Sequence, residues 1–156
     1  MMTALVFLHA SIGEVAALAF LWVSIELFEP TATRIKRATA VSLVGVIATF
    51  LCWILGGAYY VIHYVDFVRP VIKSGPYPWA QEIMMEIKQH IFLLIPFLAL
   101  MVYLLIRQSS REIILDKTMR RRTIVLSLVT FFLCFLMTAL GYLTSFGARR
   151  ALEGLL

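Results

Sequence analysis

The chain has 156 residues, of which 62% are hydrophobic and 15% charged, with a formal net charge of +5. A chain this short has too little interior to hide that much apolar surface, which excludes a soluble globular enzyme; the same composition excludes a disordered or fibrous chain. The class that remains is a polytopic membrane protein. Its basic residues sit in short loops between apolar runs, where they read as topology signal and anionic-lipid contact and not as nucleic-acid binding.

A bilayer is crossed by about 20 helical residues. Four apolar stretches reach that length, at 3–27, 38–62, 80–106 and 123–146. Period-two alternation is absent, and an open sheet exposed to lipid would leave backbone groups unpaired. The expected fold is therefore all-α, a four-helix transmembrane bundle forming one membrane domain over 1–156.

The first span has no Lys or Arg before Arg34 and is longer than the roughly 7–15 residues of a signal-peptide core, so it is expected to be a retained helix. At its end, Glu26 and Glu29 are placed to pair with Arg34 or Lys36. The loop after it carries Arg34, Lys36 and Arg37. The segment between spans three and four carries Arg107, Arg111, Lys117, Arg120, Arg121 and Arg122. That makes nine Lys/Arg on one side, against Arg69, Lys73, Arg149 and Arg150 on the other. The positive-inside bias then puts both termini and the 63–79 segment on the non-cytoplasmic side of a bacterial or archaeal inner membrane.

The 63–79 segment contains Pro70, Gly75, Pro76 and Pro78 and is expected to be irregular. Its tyrosines and Trp79 suit a headgroup interface. Pro96 is expected to kink span three. Residues 112–116, apolar between charges, are expected to form a short amphipathic turn. Cys52 and Cys134 fall near mid-membrane and read as small packing residues.

Ionisable groups within spans are costly and need a reason to be there. They are His9 and Glu14 in span one, His63 at the end of span two, and Glu82, Glu86, Lys88 and His90 in span three. At 1.5 Å per residue, His9 lies about 9 Å and His90 about 15 Å inside the outer boundary, with His63 at the surface. All three histidines, with Glu14, Glu82 and Glu86, thus share the outer half. Glu82, Glu86 and His90 are spaced i, i+4, i+8 and form one stripe, suited to ligating a metal or to orienting a ligating imidazole. Lys88 points roughly 160° away from His90, free to snorkel outward or to neutralise Glu14. Gly13 follows His9 by one turn and Gly56 precedes His63 by two. Glycine at those places permits close helix packing, or leaves room for a flat macrocycle.

The stretches Phe7-Leu8-His9-Ala10 and Ile87-Lys88-Gln89-His90-Ile91-Phe92-Leu93-Leu94 resemble a superfamily of small membrane proteins. Its members include CopD-type copper-resistance proteins and HemJ-type protoporphyrinogen oxidases. The resemblance implies a membrane bundle binding haem b or copper, with His9 as a ligand and Lys88 as a functional cation. The proline-rich middle segment and the Glu82/Glu86/His90 stripe depart from the family pattern.

The leading expectation is a haem b-binding protein for electron transfer, an oxidoreductase or electron-transfer subunit. His9 and either His63 or His90 would be axial ligands, and a quinone or another subunit the electron partner. A copper or zinc site built from His9, His63, His90 and Glu86 is a second expectation. A third is a non-catalytic accessory subunit of a larger membrane complex or a homo-oligomer. A transporter or proton pathway is a fourth. The absence of CxxCH excludes covalent c-type haem.

Overall fold

A computed structural model describes residues 2–153. Every regular element in it is helical, and no strand occurs among the described residues. Four helical stretches, Ala4–Phe28, Ala32–Ser74, Ala80–Gln108 and Lys117–Glu153, are long and apolar enough to cross a membrane.

The first is α1 (Met2–Phe28), which ends ahead of Pro30. Thr31 starts α2 (Ala32–Tyr59), its side chain accepting from the Arg34 backbone N–H at 3.2 Å. At this turn Glu26 is buried and collects its charge partners. Arg34 Nε lies 3.2 Å and Arg37 Nε 3.0 Å from its carboxylate, and Trp22 Nε1 donates to it at 3.0 Å. Arg34 also reaches Glu29 at 3.2 Å. The expected partner Arg34 is present. The place expected for Lys36 is taken by Arg37, which follows Arg34 by about one helical turn and so shares its face of α2.

The expected end of span two at Ile62 is not an end. The helix continues through a π-helical stretch, Tyr60–Val68, into α3 (Arg69–Ser74). Pro70 does not interrupt it; it stands in the first turn of α3, just where π-helical hydrogen bonding gives way to α-helical. Only residues 75–78 form the turn. There Gly75 is obligatory for packing, since a Cβ on it would collide with Ala151.

A second π-helical stretch, Ala80–Met85, leads into α4 (Glu86–Phe92). Leu93 and Leu94 form a turn whose backbone angles stay helical, and α5 (Ile95–Gln108) begins with Pro96 in its first turn. At the expected kink the regular hydrogen bonding thus lapses for two residues ahead of Pro96, within the one stretch Ala80–Gln108. The expected amphipathic turn is α6 (Ser110–Leu115), with Ile113 buried and Leu115 exposed. Asp116 then caps α7 (Lys117–Glu153) by accepting from the Thr118 N–H at 2.8 Å. Its 37 residues overrun the expected 123–146 at both ends, so Arg120, Arg121 and Arg122 are helical and not in a loop.

Going round the bundle, α1 packs on α2 and α7, and α5 packs on the same two, so α1 and α5 occupy opposite corners. Small residues set the spacing. A Cβ on Gly45 would stand 2.8 Å from the Phe20 ring, so Gly45 makes the slot that Phe20 fills. Ala16 and Ala17 pack with Ala48, Cys134 and Met137 further along. Polar side chains are tied to backbone: Ser127 Oγ donates to the Phe20 carbonyl at 2.8 Å, joining α7 to α1. At the end that carries α3, Tyr64 OH donates to Gln81 Oε1 at 2.5 Å, beneath Ile72 and Ala80. The Glu26 contacts and the Phe20, Val23 and Leu27 packing close the bundle toward the α1–α2 turn. The other end is left more open.

Candidate functional site

The open end contains a cavity of about 900 Å³, lined from α1, α2, α3, α4, α7 and the two π-helical stretches. Its chemistry starts at His9. The imidazole crosses from α1 to α2, where its Nδ1–H donates to the Cys52 carbonyl at 3.0 Å. A carbonyl only accepts, so the proton is on Nδ1 and the Nε2 lone pair is left for another partner. The Cys52 thiol answers by donating to the His9 carbonyl at 3.5 Å, with its sulfur 3.2 Å from Nδ1. Gly56, one turn beyond Cys52, makes this possible. A Cβ there would lie 2.7 Å from His9 Cε1. Phe92 stands edge-on to the same imidazole, with centroids 6.3 Å apart.

His63 lines the same cavity two turns past Gly56, within the π-helical stretch. Its ring stacks on Phe67 at 5.1 Å and leans on Tyr59 at 5.6 Å. Extended π-helix is uncommon and tends to occur at functional sites. Here it widens the turn from which Tyr60, His63, Tyr64 and Phe67 face the cavity.

Lys88 enters from the far wall. Its ammonium occupies the space a side chain at Gly141 would take, 3.0 Å from that hypothetical Cβ. The ion pairs among the described residues lie at Glu26, Glu29 and Glu153, and none involves Lys88. The neighbouring Gln89 also lines the cavity, and its Nε2 is buried without a hydrogen-bond partner. Arg149 stands at the rim. The lining contains no carboxylate among the described residues, so its electrostatic character is cationic, with two unpaired donors.

Several expected site residues lie elsewhere. His90 is exposed and donates its Nδ1–H to the Glu86 carbonyl of its own helix at 2.7 Å. Lys88 and His90 point to opposite sides of α4, and Lys88 is the one turned inward. The stripe of Glu82, Glu86 and His90 therefore lies outside the cavity, and His9, His63, His90 and Glu86 do not converge as a metal set. Among the described residues, no group of three or more His, Cys, Asp or Glu side chains is placed to hold a metal ion. Glu14 is exposed on the outer face of α1 and is not neutralised by Lys88. Gly13 does not line the cavity; a Cβ there would touch Cys52 Sγ at an ordinary 3.5 Å. Gly56 lines the cavity, but the space it opens is filled by the His9 ring and not left for a macrocycle.

Three contributors escaped the sequence reading: Cys52, Gln89 and Gly141. The first was visible in principle, because Cys52 and Gly56 fall at i and i+4 on one face of α2. Gln89 and Gly141 carried no such signal.

No protein-family model, no curated protein and no solved structure matches this chain.

Proposed function

We propose that the chain is an integral membrane protein that holds one non-covalent haem b in this cavity and passes electrons through it. His9 and His63 are the axial ligands. The observation that carries the reading is that imidazoles from two spans line one cavity, with the His9 ring already oriented by its Nδ1–H bond to the Cys52 carbonyl. Ligating histidines generally donate their other ring nitrogen in this way, which fixes the tautomer and leaves Nε2 for the metal.

The remaining lining suits the group as well. A cavity of about 900 Å³ is at the upper end of the roughly 300–1,000 Å³ of small-molecule sites. Phe92, Met85 and Val61 supply apolar walls, while Lys88, Arg149 and the unpartnered Gln89 Nε2 supply cationic and hydrogen-bonding partners. Haem b combines a flat apolar ring with two carboxylates, which is the complement of that lining. Lys88 and Gln89 would hold the carboxylates, and the aromatic side chains around His63 would keep water from the ring. When bound, the haem supplies a one-electron redox centre, and two imidazole ligands make it low-spin. The two residues on which the family resemblance rests, His9 and Lys88, line this cavity together.

The test is the absorption spectrum of the protein purified with its native pigments or after addition of haem. A Soret band, with sharp visible bands on reduction, supports the reading. A chain that takes up no haem at stoichiometric concentration refutes it.

A further inference from the structure

Lys88 is set apart from the other lysines of the chain. Lys36, Lys73 and Lys117 are exposed near helix ends, whereas Lys88 lines the cavity within a span. No ion pair of the described residues involves Lys88, and the lining offers it no carboxylate among them. A lysine amine held in an apolar pocket without a counter-ion is the setting in which that group acts as a nucleophile toward carbonyl carbon. Two neighbours suit the same chemistry. His9 stands close enough to Lys88 for their charges to interact, and its bond to the Cys52 carbonyl leaves the Nε2 lone pair free. Gln89 Nε2 is buried without an acceptor, and a carbonyl oxygen supplies one. The shape of the cavity narrows the ligand further. On α7 the wall is Gly141, Thr144, Ser145, Ala148 and Leu152, one helix face about 16 Å long at 1.5 Å per residue. The Lys88 ammonium lies at its inner end, against Gly141, and the exposed Leu152 and Phe67 stand at its outer end. The amine thus sits at the bottom of an elongated, mostly apolar space.

We propose that the cavity, when no haem occupies it, takes up a long apolar aldehyde and binds it covalently as a Schiff base on Lys88. The uncharged amine nitrogen attacks the carbonyl carbon, and the C=O π pair moves to oxygen. His9 Nε2 accepts one nitrogen proton as the N–C bond forms and passes it to that oxygen, giving a carbinolamine. The nitrogen lone pair then closes the C=N bond as the C–O bond breaks. The hydroxyl group leaves as water with the second nitrogen proton, so nothing is oxidised or reduced. The apolar chain lies along the α7 face toward Leu152. This inference does not depend on the haem reading, because it concerns the amine at the inner end of the cavity and not the imidazole pair.

The test uses the full, haem-free chain in phosphatidylcholine bilayers, whose headgroups carry no reactive amine, with equimolar dodecanal as the probe. Cyanoborohydride reduces the C=N bond where it forms, and peptide mass spectrometry locates the adduct. The adduct is expected to be several-fold more abundant at Lys88 than at Lys36, Lys73 or Lys117. Excess dodecanol, which fills the same space but has no carbonyl, should lower labelling at Lys88 and leave the exposed lysines unchanged. Labelling spread evenly over the lysines, or absent from Lys88, overturns the proposal. Labelling of Lys88 that dodecanol does not reduce overturns it too, since the chain is then not seated in the cavity. The comparison is made within the parent chain, so it needs no folded variant, and haem uptake enters none of its outcomes.

Discussion

Replacing Gly56 by alanine tests the arrangement of His9 most sharply. The added Cβ would lie 2.7 Å from His9 Cε1 and 3.1 Å from Nδ1, against about 3.5–4.0 Å for relaxed contact. The ring must retreat from α2 by about 1 Å to restore that contact. Such a move carries Nδ1 beyond hydrogen-bond range of the Cys52 carbonyl, now 3.0 Å away. The helices cannot simply part, because α1 and α2 share the most extensive contact in the bundle. Overpacking costs about 1–3 kcal/mol and the lost hydrogen bond about 0.5–1.5 kcal/mol, offset by roughly 1 kcal/mol of helix preference for alanine over glycine. The net expectation is a destabilisation of about 1–3 kcal/mol. Gly57→Ala is the matched control, since a Cβ at Gly57 meets nothing within 4 Å. Unfolding in mixed micelles with a denaturing detergent, followed by circular dichroism, measures both variants. Gly57→Ala should be neutral or slightly stabilising. If the two variants unfold together, the His9 ring does not lie against Gly56 and the clamp is wrong.

Other perturbations have defined expectations. Glu26→Ala removes the acceptor shared by Arg34, Arg37 and Trp22 and should destabilise by about 1.5–3 kcal/mol in the same unfolding assay, as for hydrogen bonds to charged groups. Ser127→Ala removes one interhelical bond, and only about 0.6 kcal/mol should be lost. Gly147→Ala drives a Cβ to within 2.5 Å of Ala80 Cβ and should lower stability by about 1–3 kcal/mol through overpacking. Lys88→Met keeps the stem but deletes the charge, and a haem titration should weaken by about 10–100-fold if Lys88 binds a carboxylate; unchanged affinity would place the carboxylates elsewhere.

The helical spans were legible because runs of apolar residues long enough to cross a bilayer have few alternative structures. Their ends were less so. Pro70 and the π-helical stretch Tyr60–Val68 let a helix continue where proline and glycine content argued for a loop. A proline in a first turn reads in sequence like a proline that breaks a helix. That His9 and His63 line the same cavity agrees with the outer-half depth that the sequence gives to all three histidines. The choice against His90 could not be anticipated: Lys88 and His90 occupy opposite faces of α4, and only packing on α7 decides which face is inward. Here the long Lys88 side chain finds space at Gly141, far along the chain in a different helix, and the regular stripe of Glu82, Glu86 and His90 is turned out. Cys52 was passed over because an apolar neighbourhood hides a polar contact made by a group on another span.

The proposed ligation of one haem by His9 and His63 is tested most directly by recording reduced-minus-oxidised absorption spectra of three alanine variants beside the parent chain. His9→Ala should lose the pigment. His63→Ala should lose it or shift from a six-coordinate to a five-coordinate spectrum, and His90→Ala should match the parent. A His90→Ala chain that loses its bands while His63→Ala keeps them unchanged would contradict the assignment, since it would require an exposed imidazole, bonded to its own helix, to reach the cavity.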